Sequence, residues 1–271
     1  MKEKRLFKFG ILALSIVLIA CTGGSAEAGC PEIDGREINV VATTPMIGEF
    51  VSQVGGDNIN LTVLMPAEAD PHTYDPAPQD AGTIADADLV FYTGLKYEPA
   101  ALIKLLENSA CSAEVLAEVG ESVFPIEFKE GGHDDHHDDH DEEGHDDHAG
   151  HDHGAYDPHF WFDPNRVAYA AEYIESKLVE FDPSNASEYE AAGKAYVTEL
   201  KGLVGQVSEL ISTIPSQNRK LITTHESLGY LEAKFGLEVL STIIPSLDSA
   251  NEISPSQLVG VIDVIEDNNI K

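Results

Sequence analysis

The chain has 271 residues, of which 42% are hydrophobic, and it carries a formal net charge of −32 at pH 7. This length and composition allow one large domain or two smaller ones with a sizeable core. Because so negative a field repels nucleic acid and attracts cations, we exclude a role in nucleic-acid binding.

The N-terminus has the features of an export signal. Basic residues within the first eight positions precede an apolar stretch over residues 9–20, which is short for a membrane-spanning helix of about 20 residues. The stretch ends in Leu-Ile-Ala-Cys, similar to the lipobox of exported lipoproteins. We therefore predict a lipoprotein signal peptide over 1–20, lipid attachment at Cys21 and a flexible tether over 21–36. Plain secretion, with Cys21 present by chance, is the alternative.

Strands and helices alternate through the first half of the chain. Runs rich in β-branched residues predict strands over 37–43, 60–65 and 88–93. Helical spacing of apolar residues predicts helices over 47–54, 79–87 and 98–108. This alternation indicates a parallel sheet with helices on its faces.

The second half begins with two long helical patterns, over 164–181 and 184–213. The second would be about 40 Å long at about 1.5 Å per residue, which is long enough to brace two lobes. A further βα layer follows, with strands over 220–224 and 238–243, a helix over 226–235 and one more helix from residue 254.

We therefore predict an α/β fold of two parallel-sheet lobes joined by one long rigid helix. The expected divisions are an N-terminal lobe over 37–183, a linking helix over 184–214 and a partial C-terminal lobe over 215–271. Two strands are too few for an independent sheet, so the second lobe is expected to be truncated at its C-terminus. A naturally short lobe that pairs with a neighbour is the alternative.

Two cysteines remain beyond the lipobox, Cys30 and Cys111. An exported protein meets an oxidising compartment, where a disulfide can form. The spacing of the two cysteines in the sequence does not give their distance in the fold. A 30–111 disulfide and two free thiols are therefore equal alternatives.

Histidine placement indicates a transition metal. Two copies of Asp-Pro-His end at His72 and His159, and the one other histidine outside the run between them is His225. His72 and His225 each follow a predicted strand, where ligands bind in open α/β sheets. Three imidazoles and a fourth oxygen donor suit tetrahedral Zn²⁺. Water, Asp70 and Glu226 are candidates for that fourth position.

Residues 130–153 form a run of eight histidines and eleven acidic residues. With almost no apolar side chain the run cannot form a core, so we predict a mobile loop that collects metal for the main site. A solvated insertion that binds metal incidentally is the alternative. The accessory ligands would be His133, His136, His137, His140, His145, His148, His151 and His153.

Four segments carry a family resemblance: 65–80, 85–94, 157–164 and 223–231. Together they resemble the metal-binding solute-binding proteins of ABC importers, of the zinc-type ZnuA/TroA-like family, from about residue 38 to the last residue. The resemblance implies two α/β lobes, a rigid connecting helix and a metal buried between the lobes. In this family a fourth, carboxylate ligand often comes from a part of the C-terminal lobe beyond residue 271.

The resemblance also implies a function. Three histidines with a histidine-rich insertion are typical of zinc importers, whereas members for Mn²⁺ or Fe²⁺ replace one histidine with a carboxylate. We expect a monomer that is anchored by lipid to the outer face of the cell membrane. It would deliver Zn²⁺ to an ABC permease with its ATPase, and perform no reaction.

Other functions remain as alternatives at this point. A manganese- or iron-type binding protein and a metal-binding adhesin share the resemblance. A zinc hydrolase would use an open position on the metal to activate water. Its only candidate general base is Glu226.

Overall fold

The computed structural model describes residues 30, 33, 35–128, 156–246, 249 and 253–270. The predicted signal peptide, Cys21 and the loop histidines of 133–153 lie outside the described residues. Among the helices within these ranges, none is long and apolar enough to cross a membrane.

The first lobe is built on a four-stranded parallel sheet with the order β2-β1-β3-β4. The strands are β1 (Ile38–Ala42), β2 (Ile59–Val63), β3 (Leu89–Tyr92) and β4 (Leu116–Glu118). The helices that connect them are α1 (Pro45–Gly55), α2 (Pro78–Ala85) and α3 (Ala100–Ser109).

The central strands β1 and β3 are mostly apolar because helices cover both faces of the sheet, and Asn39 is the one polar residue of β1. Successive side chains point to opposite faces. Val40 therefore joins the core formed with α1 and the later helices, whereas Val41 and Val90 pack with Leu102 and Leu106 of α3.

Two long helices follow, α4 (Pro164–Phe181) and α5 (Ala186–Ser212). Asp163 accepts a hydrogen bond from Asn165 N at 3.0 Å and caps α4, with Pro164 at the first helical position. The four buried residues of α5 lie between Tyr189 and Leu200. The first half of α5 is therefore anchored in the first lobe, and the second half extends towards the second.

The second lobe holds the parallel pair β5 (Lys220–His225) and β6 (Glu238–Ile244). The helices of this lobe are α6 (Gly229–Phe235) and α7 (Pro255–Asn268). The predicted α/β class, with parallel strands and one long helix, is confirmed.

Three local predictions differ from the structure. Strand β4 was not predicted, His225 is the last residue of β5 rather than the residue after it, and α6 begins at Gly229 rather than at Glu226. Cys30 and Cys111, whose pairing the sequence left open, form a disulfide with a Cα–Cα distance of 4.9 Å.

Candidate metal site

The three histidines outside the loop run converge between the lobes. His72 lies in the turns after β2, His159 in the segment before α4, and His225 at the carboxyl end of β5. One ligand nitrogen from each lies within 4.8 Å of the other two. Ligands of a tetrahedral zinc ion lie about 3.3 Å apart, so small side-chain rotations would complete the site.

Asp157 orients His159. Its Oδ1 lies 2.8 Å from His159 Nδ1 and accepts a second hydrogen bond from His159 N at 2.9 Å. With Nδ1–H donating to the carboxylate, the lone pair of Nε2 is left for a metal. His159 is 3% exposed, and its Nε2 has no hydrogen-bond partner among the described residues. A buried nitrogen in this state has the chemistry of a metal ligand.

His72 is held by the carboxylate two residues before it. Asp70 Oδ1 accepts from His72 N at 3.0 Å, and Asp70 Oδ2 accepts from Ser249 Oγ of the second lobe at 2.6 Å. Partial burial acts to raise the pKa of Asp70, but these hydrogen bonds, together with the electrostatic effect of His72 and His225, outweigh it and hold the pKa below its usual value. Asp70 therefore joins the two lobes at the edge of the site.

Glu226 lies next to His225 but is tied to its own lobe. Its N–H donates to Ser246 O at 2.8 Å, and its Oε1 accepts from Thr242 Oγ1 at 3.2 Å. Burial raises the pKa of Glu226, and the bond from Thr242 offsets part of that rise. Among the described residues the convergent group consists of the three histidines, without Asp70 or Glu226.

Two aromatic residues, Tyr97 and Trp161, line the site. Tyr97 is 4% exposed, and its ring centroid lies 4.8 Å from that of His72 and 5.6 Å from that of His159. Trp161 lies 5.4 Å from His159 by the same measure. Tyr97 follows the buried strand β3, and that position at a carboxyl end was the available signal.

The fold and this site together define a class of protein. Two α/β lobes with three convergent imidazoles between them form a cleft, and the residues of that cluster, which could hold a metal ion, come from both lobes. A family model described as "Zinc-uptake complex component A periplasmic" (ZnuA) matches residues 40–271. The chain belongs to this family.

Curated relatives agree with the family. The chain is 26% identical over 265 residues to the manganese-binding lipoprotein MntA of Halalkalibacterium halodurans, covering 98% of this chain and 78% of the relative. It is 28% identical over 272 residues to the manganese ABC transporter substrate-binding lipoprotein PsaA of Streptococcus anginosus, covering 98% and 80%.

A solved structure supports the fold. The periplasmic zinc-binding protein TroA of Treponema pallidum superimposes with a TM-score of 0.70 at 23% identity, over 86% of this chain and 75% of that chain.

The family and the curated relatives show that this protein is an extracytoplasmic, lipid-anchored metal-binding protein of an ABC importer and not an enzyme. The names of its relatives include both manganese and zinc, so those names do not identify the metal that this chain binds. The donor set of the chain itself has to be considered.

Proposed function

We propose that the protein captures Zn²⁺ through His72, His159 and His225 and delivers it to the permease and ATPase of an ABC importer. The observation that carries the proposal is the convergence of three imidazole nitrogens within 4.8 Å. Manganese prefers more oxygen ligands, whereas imidazole suits zinc. The donor set of this chain therefore favours zinc.

The fourth position would be taken by water, Asp70 or Glu226. Asp70 would have to give up Ser249, and Glu226 would have to give up Thr242. Water needs neither change, so among these three we favour water over Asp70 and Glu226. This leaves one exchangeable ligand, which suits a protein that must release its metal.

The remaining parts of the chain have accessory roles in this proposal. Cys21 carries the lipid, residues 21–36 form the tether, which the Cys30–Cys111 disulfide joins to the first lobe, and the histidines of 133–153 collect metal at low affinity. The protein works as a monomer, with lobes over 37–183 and 215–271 joined by a linker over 184–214.

A manganese importer is the second candidate, because MntA and PsaA are named for manganese. The test is a zinc titration, with manganese as competitor, of mature protein that lacks residues 133–153. We expect one tight site that prefers zinc and is lost in His72→Ala. The exposed α1 variant Gln53→Ala should bind as the parent does. Tighter binding of manganese would favour the second candidate, and a tight site that persists in His72→Ala would refute the proposed ligand set.

A further inference from the structure

Three consecutive residues between β3 and α3 have a left-handed backbone. The φ angles are +74° at Gly94, +53° at Leu95 and +61° at Lys96. Glycine adopts this conformation readily, but a residue with a Cβ atom does so at a cost. Such a turn persists only where its surroundings hold it.

Two carboxylates hold this turn through consecutive backbone N–H groups. Glu98 Oε1 accepts from Thr93 N at 2.7 Å, and Glu98 Oε2 accepts from Gly94 N at 3.0 Å. Glu118 Oε1 accepts from Leu95 N at 3.0 Å. Glu98 is 4% exposed and also accepts from Thr43 Oγ1 of the neighbouring segment at 2.7 Å. The turn is thus fixed mainly by a buried side chain that no metal contact explains.

The turn delivers Tyr97 to the metal site. Tyr97 N donates to Gly94 O at 2.9 Å and closes the turn, and the Tyr97 ring meets His72 edge-on. His72 lies outside regular secondary structure, so its imidazole depends on neighbouring side chains for its orientation. Tyr97 also lies against Trp161, at a centroid distance of 5.1 Å.

We propose that Glu98 is a positioning residue of the metal site, which fixes the left-handed turn and, through Tyr97, the imidazoles of His72 and His159. The inference rests on the proposed function in taking these two histidines as ligands. Glu98 does not touch the metal. It preorganises the ligands, so that less conformational entropy is lost when the ion binds.

The test uses the full chain and measures its tight zinc site against a chelator strong enough to outcompete weaker sites. Glu98→Gln places an amide donor opposite Gly94 N–H and should open the turn. We expect zinc affinity to fall about tenfold, as for other residues that support metal ligands. The emission of Trp161, the single tryptophan of the chain, should shift in the metal-free protein.

Asp88→Asn is the matched control. Asp88 is a carboxylate of the same lobe, 3% exposed, which accepts from Asn39 N at 2.7 Å and pairs with Arg36 at 2.6 Å. Asp88→Asn should lower the stability of the protein. It should leave the zinc affinity within twofold of wild type and the emission maximum of Trp161 unshifted. A purely structural role for Glu98 would make the two variants behave alike.

A double variant tests whether Glu98 acts through Tyr97. Glu98→Gln added to Tyr97→Ala should weaken binding by no more than about twofold beyond Tyr97→Ala alone. If the two substitutions instead weaken zinc binding by the product of their separate effects, the proposal is overturned. A folded Glu98→Gln protein that binds zinc like wild type would also overturn it.

If Glu98→Gln fails to fold, Glu118→Ala carries the test, and unchanged zinc affinity in that variant would overturn the proposal. A wild type without a tight site, or a site that survives His72→Ala, would instead refute the proposed function as well.

Discussion

The orientation of His159 depends on its contacts with the carboxylate of Asp157. Asp157→Ala removes the acceptors of both His159 N and His159 Nδ1, which lie 2.9 and 2.8 Å from Asp157 Oδ1. Loss of a hydrogen-bond partner of a metal-bound histidine typically lowers affinity by about 10–100-fold. Because both side chains are buried, we expect about 100-fold, or about 2.7 kcal/mol.

Asp157→Asn should have a smaller effect, of about tenfold, because the amide oxygen can still accept from Nδ1–H although the charge is lost. Zinc affinity would be measured in competition with a chromophoric chelator. Asp163→Ala is the control, since it removes a buried carboxylate that caps α4. It should cost about 1 kcal/mol of stability and leave zinc affinity unchanged. An Asp157→Ala protein that is folded and binds zinc within twofold of wild type would refute the reasoning.

Three further predictions concern other parts of the molecule. A Cβ atom on Gly229 would lie 2.8 Å from Asp157 Oδ2, so Gly229→Ala should weaken zinc binding severalfold in the same competition assay. Burial acts to raise the pKa of Asp182, but its hydrogen bonds outweigh this and lower the pKa. Its stabilising effect is therefore full above about pH 4 and is lost as the pH falls through the folded-state pKa, so urea unfolding should show Asp182→Asn costing least at acid pH. The Cys30–Cys111 bond spans 81 residues, and its reduction should lower the free energy of unfolding by about 2–4 kcal/mol in urea titrations.

The sequence was most informative where local signals coincide with the fold. Helix α4 has its predicted bounds because Asp163-Pro164 is a strong start signal and Asp182-Pro183 a strong stop. Strand β4 was missed because three residues are too few to show a period, and its partner β3 supplies the pairing.

The convergence of the three histidines was expected because two of them were predicted to follow strands, and the carboxyl ends of parallel strands meet at one edge. The contacts that support the three histidines were not predicted from the sequence. Asp70 meets Ser249 across 179 positions of sequence, and Tyr97 reaches His72 only because a left-handed turn forms after β3. Contacts of this kind depend on tertiary packing, which no local pattern encodes.

The measurement that most directly tests the three-histidine site is X-ray absorption at the zinc edge, on loaded protein without residues 133–153. The proposal predicts about four light ligands near 2.0–2.1 Å, with the scattering pattern of three imidazoles. His159→Ala should lose one of those imidazoles. A six-coordinate shell of oxygen atoms, or a count of imidazoles that does not change in His159→Ala, would contradict the proposed site.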